Sequence, residues 1–463
     1  MRIFKHYVSR RFFFLGILEG LITFVAIYSG FLIRYTDIKV DRLADAFVLY
    51  LPDALIFLSV IVVTMFALGM YQKEYAQDMK VVFIRLSTSF ILAFSVLSLI
   101  FYLFPDLKIW RSALAIAMII AFVGIVLARY IFIRILGLAR FRRRVLVLGL
   151  GDRAGRVEAL EDQGQSNSFM CVGYLPANDE RISVTQSRIL SGVNSLAVFA
   201  KQHAVEEIVV AVEDRRGGLP VDSLLECKLN GIAVTDYPSF WEREAGRVDL
   251  DSLRPSWLIF SDGFRVGLVH SFFKRVFDVL ASVVLLVFGL PLIIVAAIAI
   301  RLESKGPIFY RQERLGLGGQ PFLLLKFRSM KVDAESSGVP QWAEQNDSRI
   351  TRIGNFIRQT RIDEIPQILN VLRGDMSFVG PRPERSYFVE QLTQKIPYYF
   401  ERHRVKPGIT GWAQLNYSYG ASIEDAKEKL KYDLYYIKNC SVFLDLIILM
   451  QTARVIVWPN GVR

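Results

Sequence analysis

Two adjacent carboxylates, Asp363 and Glu364, stand at the centre of a stretch rich in arginine. Arg349, Arg352, Arg358 and Arg361 precede them, Pro366 follows, and Arg382 comes later in Gly-Pro-Arg-Pro. Proline suits the first turn of a helix, where the N–H it lacks has no partner to lose. Pro366 therefore predicts a helix start, with the acid pair at or just before an N-terminus that favours anions. Carboxylates serve as covalent nucleophiles in phosphoryl chemistry, and paired acids can hold a divalent cation. The guanidinium fork matches phosphate. Such a cluster suits a metal and a phosphate together. An acid pair that only stabilises the helix dipole is the reading that residue chemistry leaves open.

More cations lie upstream. Residues 306–316 read as a strand or turn, 316–319 as a bend, and 322–330 as a returning strand. Lys326 and Arg328, two apart on a strand, share a face. With Arg311 and Arg314 they form either an anion pocket or a solvated hairpin face. Downstream, Gly408 and Gly411 mark turns, Trp412 offers an aromatic platform, and Gln414 is a further substrate-binding candidate. Residues 421–437 read as a charged helix. Residues 442–458, apolar but interrupted by Asp445, Gln451 and Arg454, read as a core or membrane-surface helix.

What must position these groups is read from the rest of the 463 residues. Hydrophobic residues make up 53% and mean hydropathy is +0.35, which points to membrane segments. Four apolar runs, 12–32, 46–70, 81–104 and 114–136, each approach or exceed the ~20 residues that span ~30 Å of hydrocarbon. Arg2, Lys5, Arg10 and Arg11 before the first, and Arg140, Arg142, Arg143 and Arg144 after the fourth, place both ends on the cytoplasmic side. No string of polar residues marks a transport path, so 1–140 is read as an anchoring four-helix bundle.

Residues 141–240 read as a small Rossmann-like α/β domain. Strands are expected at 145–149, 169–175, 207–212 and 231–236, with helices near 196–203 and 219–230. Gly149-Leu-Gly151-Asp-Arg-Ala154-Gly155 approaches the dinucleotide fingerprint, but no acid follows at ~20 residues to meet a ribose hydroxyl. Cofactor binding, a structural turn, and a sensing or assembly role all stay open.

A linker, 241–269, leads to the last block, 270–463. Its apolar run 279–300 contains Pro291 and is flanked by Lys274 and Arg275 on one side and Arg301, Lys305, Arg311 and Arg314 on the other. Basic residues at both ends belong to one side of the membrane. A proline in mid-helix costs about 3 kcal/mol and kinks or breaks it. The economical reading is helix–break–helix: a re-entrant hairpin with Pro291 near its apex.

The net charge of +12 suits an anionic membrane face or phosphorylated substrates; the basic residues are scattered, which argues against nucleic acid. Cys171, Cys227 and Cys440 and four histidines show neither disulfide nor zinc spacing. A cleaved signal peptide is not expected, because the first apolar run is too long and lacks a small-residue cleavage site.

Gly-Pro-Ile-Phe-Tyr-Arg-Gln-Glu-Arg (306–314), Lys-Phe-Arg-Ser-Met (326–330), Ile-Asp-Glu-Ile-Pro-Gln (362–367), Asn-Val-Leu-Arg-Gly-Asp-Met-Ser-Phe-Val-Gly-Pro-Arg-Pro (370–383) and Lys-Pro-Gly-Ile-Thr-Gly-Trp (406–412) closely resemble the bacterial polyprenyl-phosphate sugar-1-phosphate transferases. The bundle and middle domain resemble the long form of that family. The resemblance implies transfer of hexose-1-phosphate from a UDP-sugar, glucose first and galactose second, to undecaprenyl phosphate. UMP is released, as the first membrane step of exopolysaccharide, capsule or O-antigen synthesis. It implies Asp363 as nucleophile, forming a phosphosugar-aspartyl intermediate. Residue chemistry, independently, makes Glu364, with Asp363, the candidate for Mg²⁺ binding or proton transfer, and Arg361 and Arg382, followed by Arg358, Lys326 and Arg328, the phosphate clamps. The resemblance also implies a multi-pass protein of the bacterial inner membrane with a cytoplasmic catalytic domain. The bundle and middle domain offer surfaces for a homodimer. Two rivals remain: an NAD-dependent nucleotide-sugar enzyme, for which Tyr35 and Lys39 supply a Tyr-x-x-x-Lys pair, and a non-enzymatic nucleotide-sensing receptor.

Overall fold

The computed structural model describes residues 2–3, 6–7, 10–34, 48, 50–71, 79–104, 107, 111–135, 142–162, 168–177, 181–193, 195–213, 219–253, 264, 267–331, 349–417, 420 and 422–457. Tyr35, Lys39 and linker residues 254–263, 265 and 266 lie outside them. The chain divides into two compact units, with the boundary between Gly246 and Arg247.

The first unit opens with four helices: α1 (Arg10–Arg34), α2 (Leu51–Ala67), α3 (Met79–Leu103) and α4 (Arg111–Ile135). They bury Ala26, Ile27, Phe57, Ile61, Leu86, Ala117 and Ala121 against one another and leave large apolar residues outward, as lipid-facing helices do. Small residues set the closest approach: a Cβ on Gly30 would stand 2.7 Å from Ala113 O. Deep in the bundle, Glu19 of α1 meets Arg129 of α4 at 2.6 Å, and Tyr71 donates to Glu19. Charges so placed are costly in hydrocarbon unless paired. Among the described residues, four helices are long and apolar enough to cross a membrane: 13–34, 79–103, 111–134 and 268–303. The α2 helix, at 17 residues, is shorter.

The α/β domain follows with strands β1 (Arg143–Leu148), β2 (Phe169–Leu175), β3 (Glu207–Val210) and β4 (Ala233–Asp236). They form one parallel sheet in the order β2-β1-β3-β4. Helices α5 (Asp152–Asp162), α6 (Leu196–Gln202), α7 (Val221–Leu229) and α8 (Tyr237–Ala245) complete it. Central β1 reads Arg-Arg-Val-Leu-Val-Leu because alternate residues enter separate cores, one on each face of the sheet. The domain runs past the expected limit at 240, since Phe240 and Trp241 of α8 pack into its core.

The second unit begins with α9 (Leu268–Glu303), one helix of 36 residues that continues through Pro291. The expected break at Pro291 is therefore corrected. Proline removes only its own donor and crowds one carbonyl, a loss that long helices in membranes absorb. Next come the antiparallel ribbon β5 (Phe309–Leu315) and β6 (Pro321–Phe327), and α10 (Arg352–Gln359). A 3₁₀ segment, Ile362–Gln367, runs into α11 (Ile368–Arg373). The parallel pair β7 (Ser377–Val379) and β8 (Gly408–Thr410) follows, with α12 (Ser386–Lys395) and the 3₁₀ turn Tyr399–Arg404 between its strands. Helices α13 (Trp412–Asn416), α14 (Ile423–Asn439) and α15 (Val442–Val457) close the chain. Ser422 and Asp425 cap α14 reciprocally.

Both ends of α9 rest on this same unit. Near its start, Arg275 donates to Val371 O and Leu372 O at 2.5 and 2.7 Å, and Asp278 accepts from Ser377 Oγ and Phe378 N. Lys274 donates to the fully buried Asp445 at 2.7 Å. Near its end, Ala296 and Ile300 pack with Phe327, Ile357 and Ile362, and Glu303 accepts from Ile353 N. Between these seats Val284, Val287, Phe288, Leu290, Ile294 and Val295 are exposed.

Candidate active site

The acid pair lies in the first turn of the 3₁₀ segment, one step further into helical structure than Pro366 suggests. Arg361 caps that turn with φ +60°, a left-handed conformation that is strained for a side chain this large. The turn packs on β6, which brings Lys326 to the acids. Asn370 of α11 fixes that strand: its amide donates to Leu323 O and accepts from Leu325 N, on either side of Leu324. Asn370 was not among the expected site residues. A completely buried asparagine satisfied by strand backbone is a positioning element, and only the tertiary pairing exposes it.

The two carboxylates differ sharply. Glu364 Oε1 accepts from Arg382 Nη2 at 2.7 Å and from Lys326 Nζ at 3.1 Å, with Arg361 Nη1 at 3.8 Å. Burial alone would raise its pKa; Arg382 and Lys326 outweigh that and hold its carboxyl well below the usual range. Asp363 is equally buried, yet its carboxylate makes no hydrogen bond or ion pair among the described residues. Burial and the neighbouring Glu364 charge push its pKa upward. One acid is thus locked into cations, while the other is held back from them, poorly solvated and unengaged. Desolvation of this kind favours attack on an electrophile.

Four expected cations sit elsewhere. Arg328 is buried and donates to Ile300 O, Ser304 O, Ser304 Oγ and Lys305 O, closing the C-terminal end of α9. Arg314 donates to Gln312 Oε1 and Pro383 O. The ribbon pairs Tyr310 with Lys326 and Arg311 with Leu325, so Arg311 falls on the opposite face from Lys326. It is exposed there. Arg358 lies in the last turn of α10, and its side chain has no hydrogen-bonded partner among the described residues. The expected pocket of Arg311, Arg314, Lys326 and Arg328 therefore reduces to Lys326, joined by Arg382 and Arg361. Gln414 lies in α13, half-buried, with its Oε1 unpaired.

Among the described residues no three His, Cys, Asp or Glu side chains gather as a metal cluster. Asp363 and the second oxygen of Glu364 are the donors present. Two carboxylates fit Mg²⁺, which keeps several waters and takes substrate phosphates as its remaining ligands.

In the first unit the Gly149–Gly151 turn is built for close packing. Gly149 has φ +121°, and a Cβ there would stand 3.1 Å from Ala211 C and Val212 N. Asp152 N–H, at the start of α5, donates to Glu213 Oε1 at 3.1 Å. A protein carboxylate thus holds the place where a dinucleotide would put its pyrophosphate.

Residues 269–459 match the bacterial sugar transferase family, and residues 66–217 match a CoA-binding domain family. An uncharacterized sugar transferase of Bacillus subtilis is 41% identical over 192 residues, which span 41% of this chain and 90% of that protein. The chain belongs to the bacterial sugar transferases. Another relative of this sugar transferase is a UDP-N-acetylgalactosamine-undecaprenyl-phosphate N-acetylgalactosaminephosphotransferase of Aeromonas hydrophila. It is 42% identical over 240 residues, 52% of this chain and 56% of that protein. A UDP-glucose:undecaprenyl-phosphate glucose-1-phosphate transferase of Xanthomonas campestris is 44% identical over 328 residues, 67% of this chain and 66% of that protein. The sugar transferase matches less than two thirds of either of these last two. Asp363, Glu364, Lys326 and Arg382 all lie inside the stretch matched to the sugar transferase family.

Proposed function

We propose that this protein transfers hexose-1-phosphate from a UDP-sugar to undecaprenyl phosphate and releases UMP, at the cytoplasmic face of a bacterial inner membrane. The observation that carries the reading is the division between the acids: Asp363 unengaged, Glu364 held ionised by Lys326 and Arg382. An Asp363 oxygen attacks the phosphorus next to the sugar. The bond from that phosphorus to the UMP oxygen breaks, and UMP leaves with the electron pair. An oxygen of undecaprenyl phosphate then attacks the same phosphorus, and Asp363 departs as carboxylate. Arg382, Lys326 and Arg361 supply positive charge to the phosphate oxygens, and Gln414 Oε1 offers an acceptor to a substrate donor group. Mg²⁺, held by Asp363 and Glu364 with the substrate diphosphate, would neutralise charge on the leaving phosphate.

Re-entry of α9 is supported by its two seats on one unit, with exposed apolar residues between them. A crossing helix would part its ends across the bilayer. Cysteine labelling at both ends of 279–300 should report the cytoplasmic side twice; labelling from opposite sides would establish a crossing.

Glucose is the first sugar to test, with galactose second; the Aeromonas relative adds N-acetylgalactosamine to the panel. Membranes carrying the protein should release UMP from one of these UDP-sugars only with undecaprenyl phosphate and Mg²⁺ present. Asp363→Asn should lower that rate by at least about 10³-fold, as nucleophile losses do. Full activity in this variant would remove Asp363 from the reaction. The NAD-dependent alternative is disfavoured by Glu213 at the start of α5.

A further inference from the structure

The turn 380–384, Gly-Pro-Arg-Pro-Glu, presents Arg382 to Glu364. Its two prolines lack N–H groups, which leaves it few donors for local hydrogen bonds. Instead, separate elements hold its backbone one residue at a time. Gly380 N donates to Thr410 O, and Pro381 O accepts from Gly408 N, both at 2.9 Å. Arg382 O accepts from Arg402 Nη2 at 2.9 Å, Pro383 O from Arg314 Nη1 at 3.2 Å, and Glu384 O from Leu315 N at 3.0 Å. The strands β7 and β8 approach closely here: a Cβ on Gly408 would stand 2.0 Å from Gly380 N.

The contact at Arg382 itself comes from a side chain with unusually complete fixation. Arg402 is 7% exposed. Its Nη2 also pairs with Asp433 Oδ2 at 2.9 Å, and its Nη1 donates to Tyr399 Oη at 2.7 Å. Asp433 lies on α14 and is 2% exposed. A buried arginine–carboxylate pair is a poor source of stability compared with apolar packing, because both charges lose their hydration. It does fix a planar fork in one orientation.

We propose that Arg402, locked by Asp433, is a positioning residue for sugar-phosphate transfer. It sets the backbone of Arg382, so that the Arg382 guanidinium meets Glu364 and the substrate phosphate in one geometry. This rests on the transferase reading above. Arg402 acts through Arg382 and touches no substrate.

The test uses the full-length protein in nanodiscs, with Arg402→Lys, Asp433→Asn and the conservative Asp433→Glu. UMP release in Arg402→Lys and Asp433→Asn should fall about 10- to 100-fold in kcat, since misplacement of roughly 1 Å costs that much. KM for the UDP-sugar should change less, and Asp433→Glu should recover part of the loss. In an Arg382→Lys background, Arg402→Lys should add almost nothing, because coupled residues are non-additive. Full additivity would reduce Arg402 to general stability and overturn the proposal. Amide hydrogen exchange is independent of any activity: peptides covering 380–385 should exchange faster in Arg402→Lys, with α/β-domain peptides unchanged. Unaltered exchange at 380–385 overturns the positioning claim even if the wild type releases no UMP, a result that would by itself defeat the transferase reading.

Discussion

Two turns in this chain leave a parallel strand, and they use their polar groups in opposite ways. At Gly149–Gly151 the glycines let β1 pass close to Ala211 and Val212, and Glu213 covers the first N–H of α5. The local charge there is satisfied by protein. At 380–384 it is the backbone that is satisfied, by Gly408, Arg402, Arg314 and Leu315, and a charged side chain is carried forward to Glu364. A glycine pattern fixes a path for the chain. Chemistry additionally needs a charge that the path leaves pointing at a reactive group.

The largest test of this contrast is Glu364→Gln. It removes the anion between Lys326 and Arg382 and leaves the half-buried Lys326 ammonium without its partner. Transfer should fall by about 10²-fold or more, in line with the loss of a preorganised electrostatic contact; activity within a few-fold of wild type would show the cation cage to be incidental.

A pH titration sharpens the catalytic side next. His403 adjoins Arg402, and burial together with that positive neighbour lowers its pKa from 6.5 to about 4. The fold therefore favours the neutral ring. Its contribution is present above pH 6.5 and is lost as pH falls toward about 4, amounting to up to about 3 kcal/mol across that interval at ~1.4 kcal/mol per unit. The thermal midpoint of the detergent-solubilised protein should drop over this range, and His403→Gln should flatten the drop.

In the other turn, Gly149→Ala forces a side chain into φ +121° against the 211–212 backbone. Destabilisation of about 1–3 kcal/mol is expected, read as earlier proteolysis of the α/β domain. The smallest effect belongs to Glu213→Ala. Loss of an anion at a helix start costs about 0.3–1 kcal/mol, and UMP release should stay within twofold. A bound nucleotide appearing in that variant would show that Glu213 had been excluding one.

The α/β domain was largely legible. Strands with runs such as Val-Leu-Val-Leu announce a sheet covered on both faces, and the strand expected at 169–175 is the one observed. The gathering of Lys326, Arg361 and Arg382 around the acid pair was legible too, through spacing and motifs. Sorting the other arginines was not. Arg328 follows Lys326 by two residues, yet the strand ends at Phe327, and the following backbone turns Arg328 to the end of α9. Arg311 fails by strand parity, which depends on a register that the sequence does not print. Arg402 and Asp433 look like ordinary surface charges of polar segments; only the folded chain brings them 2.9 Å apart and onto Arg382. Pro291 failed in a different way, because a proline rule for helices in water overstates the break in a long apolar helix.

The two seats of α9 also have a consequence in time. Lys274 finds Asp445 only 171 positions later, and Arg275 finds Val371 after 96. At the usual ~5–20 residues per second of synthesis, the first of these intervals lasts roughly 10–30 s. On the re-entrant reading proposed above, an apolar helix with uncovered charges at its start waits through that interval without crossing the bilayer. Chains truncated between Asn439 and Asp445 are therefore expected to leave the helix unseated, a state that pulse-chase measurement would read as rapid degradation. The seat at the start of α9 is thus completed only by α15.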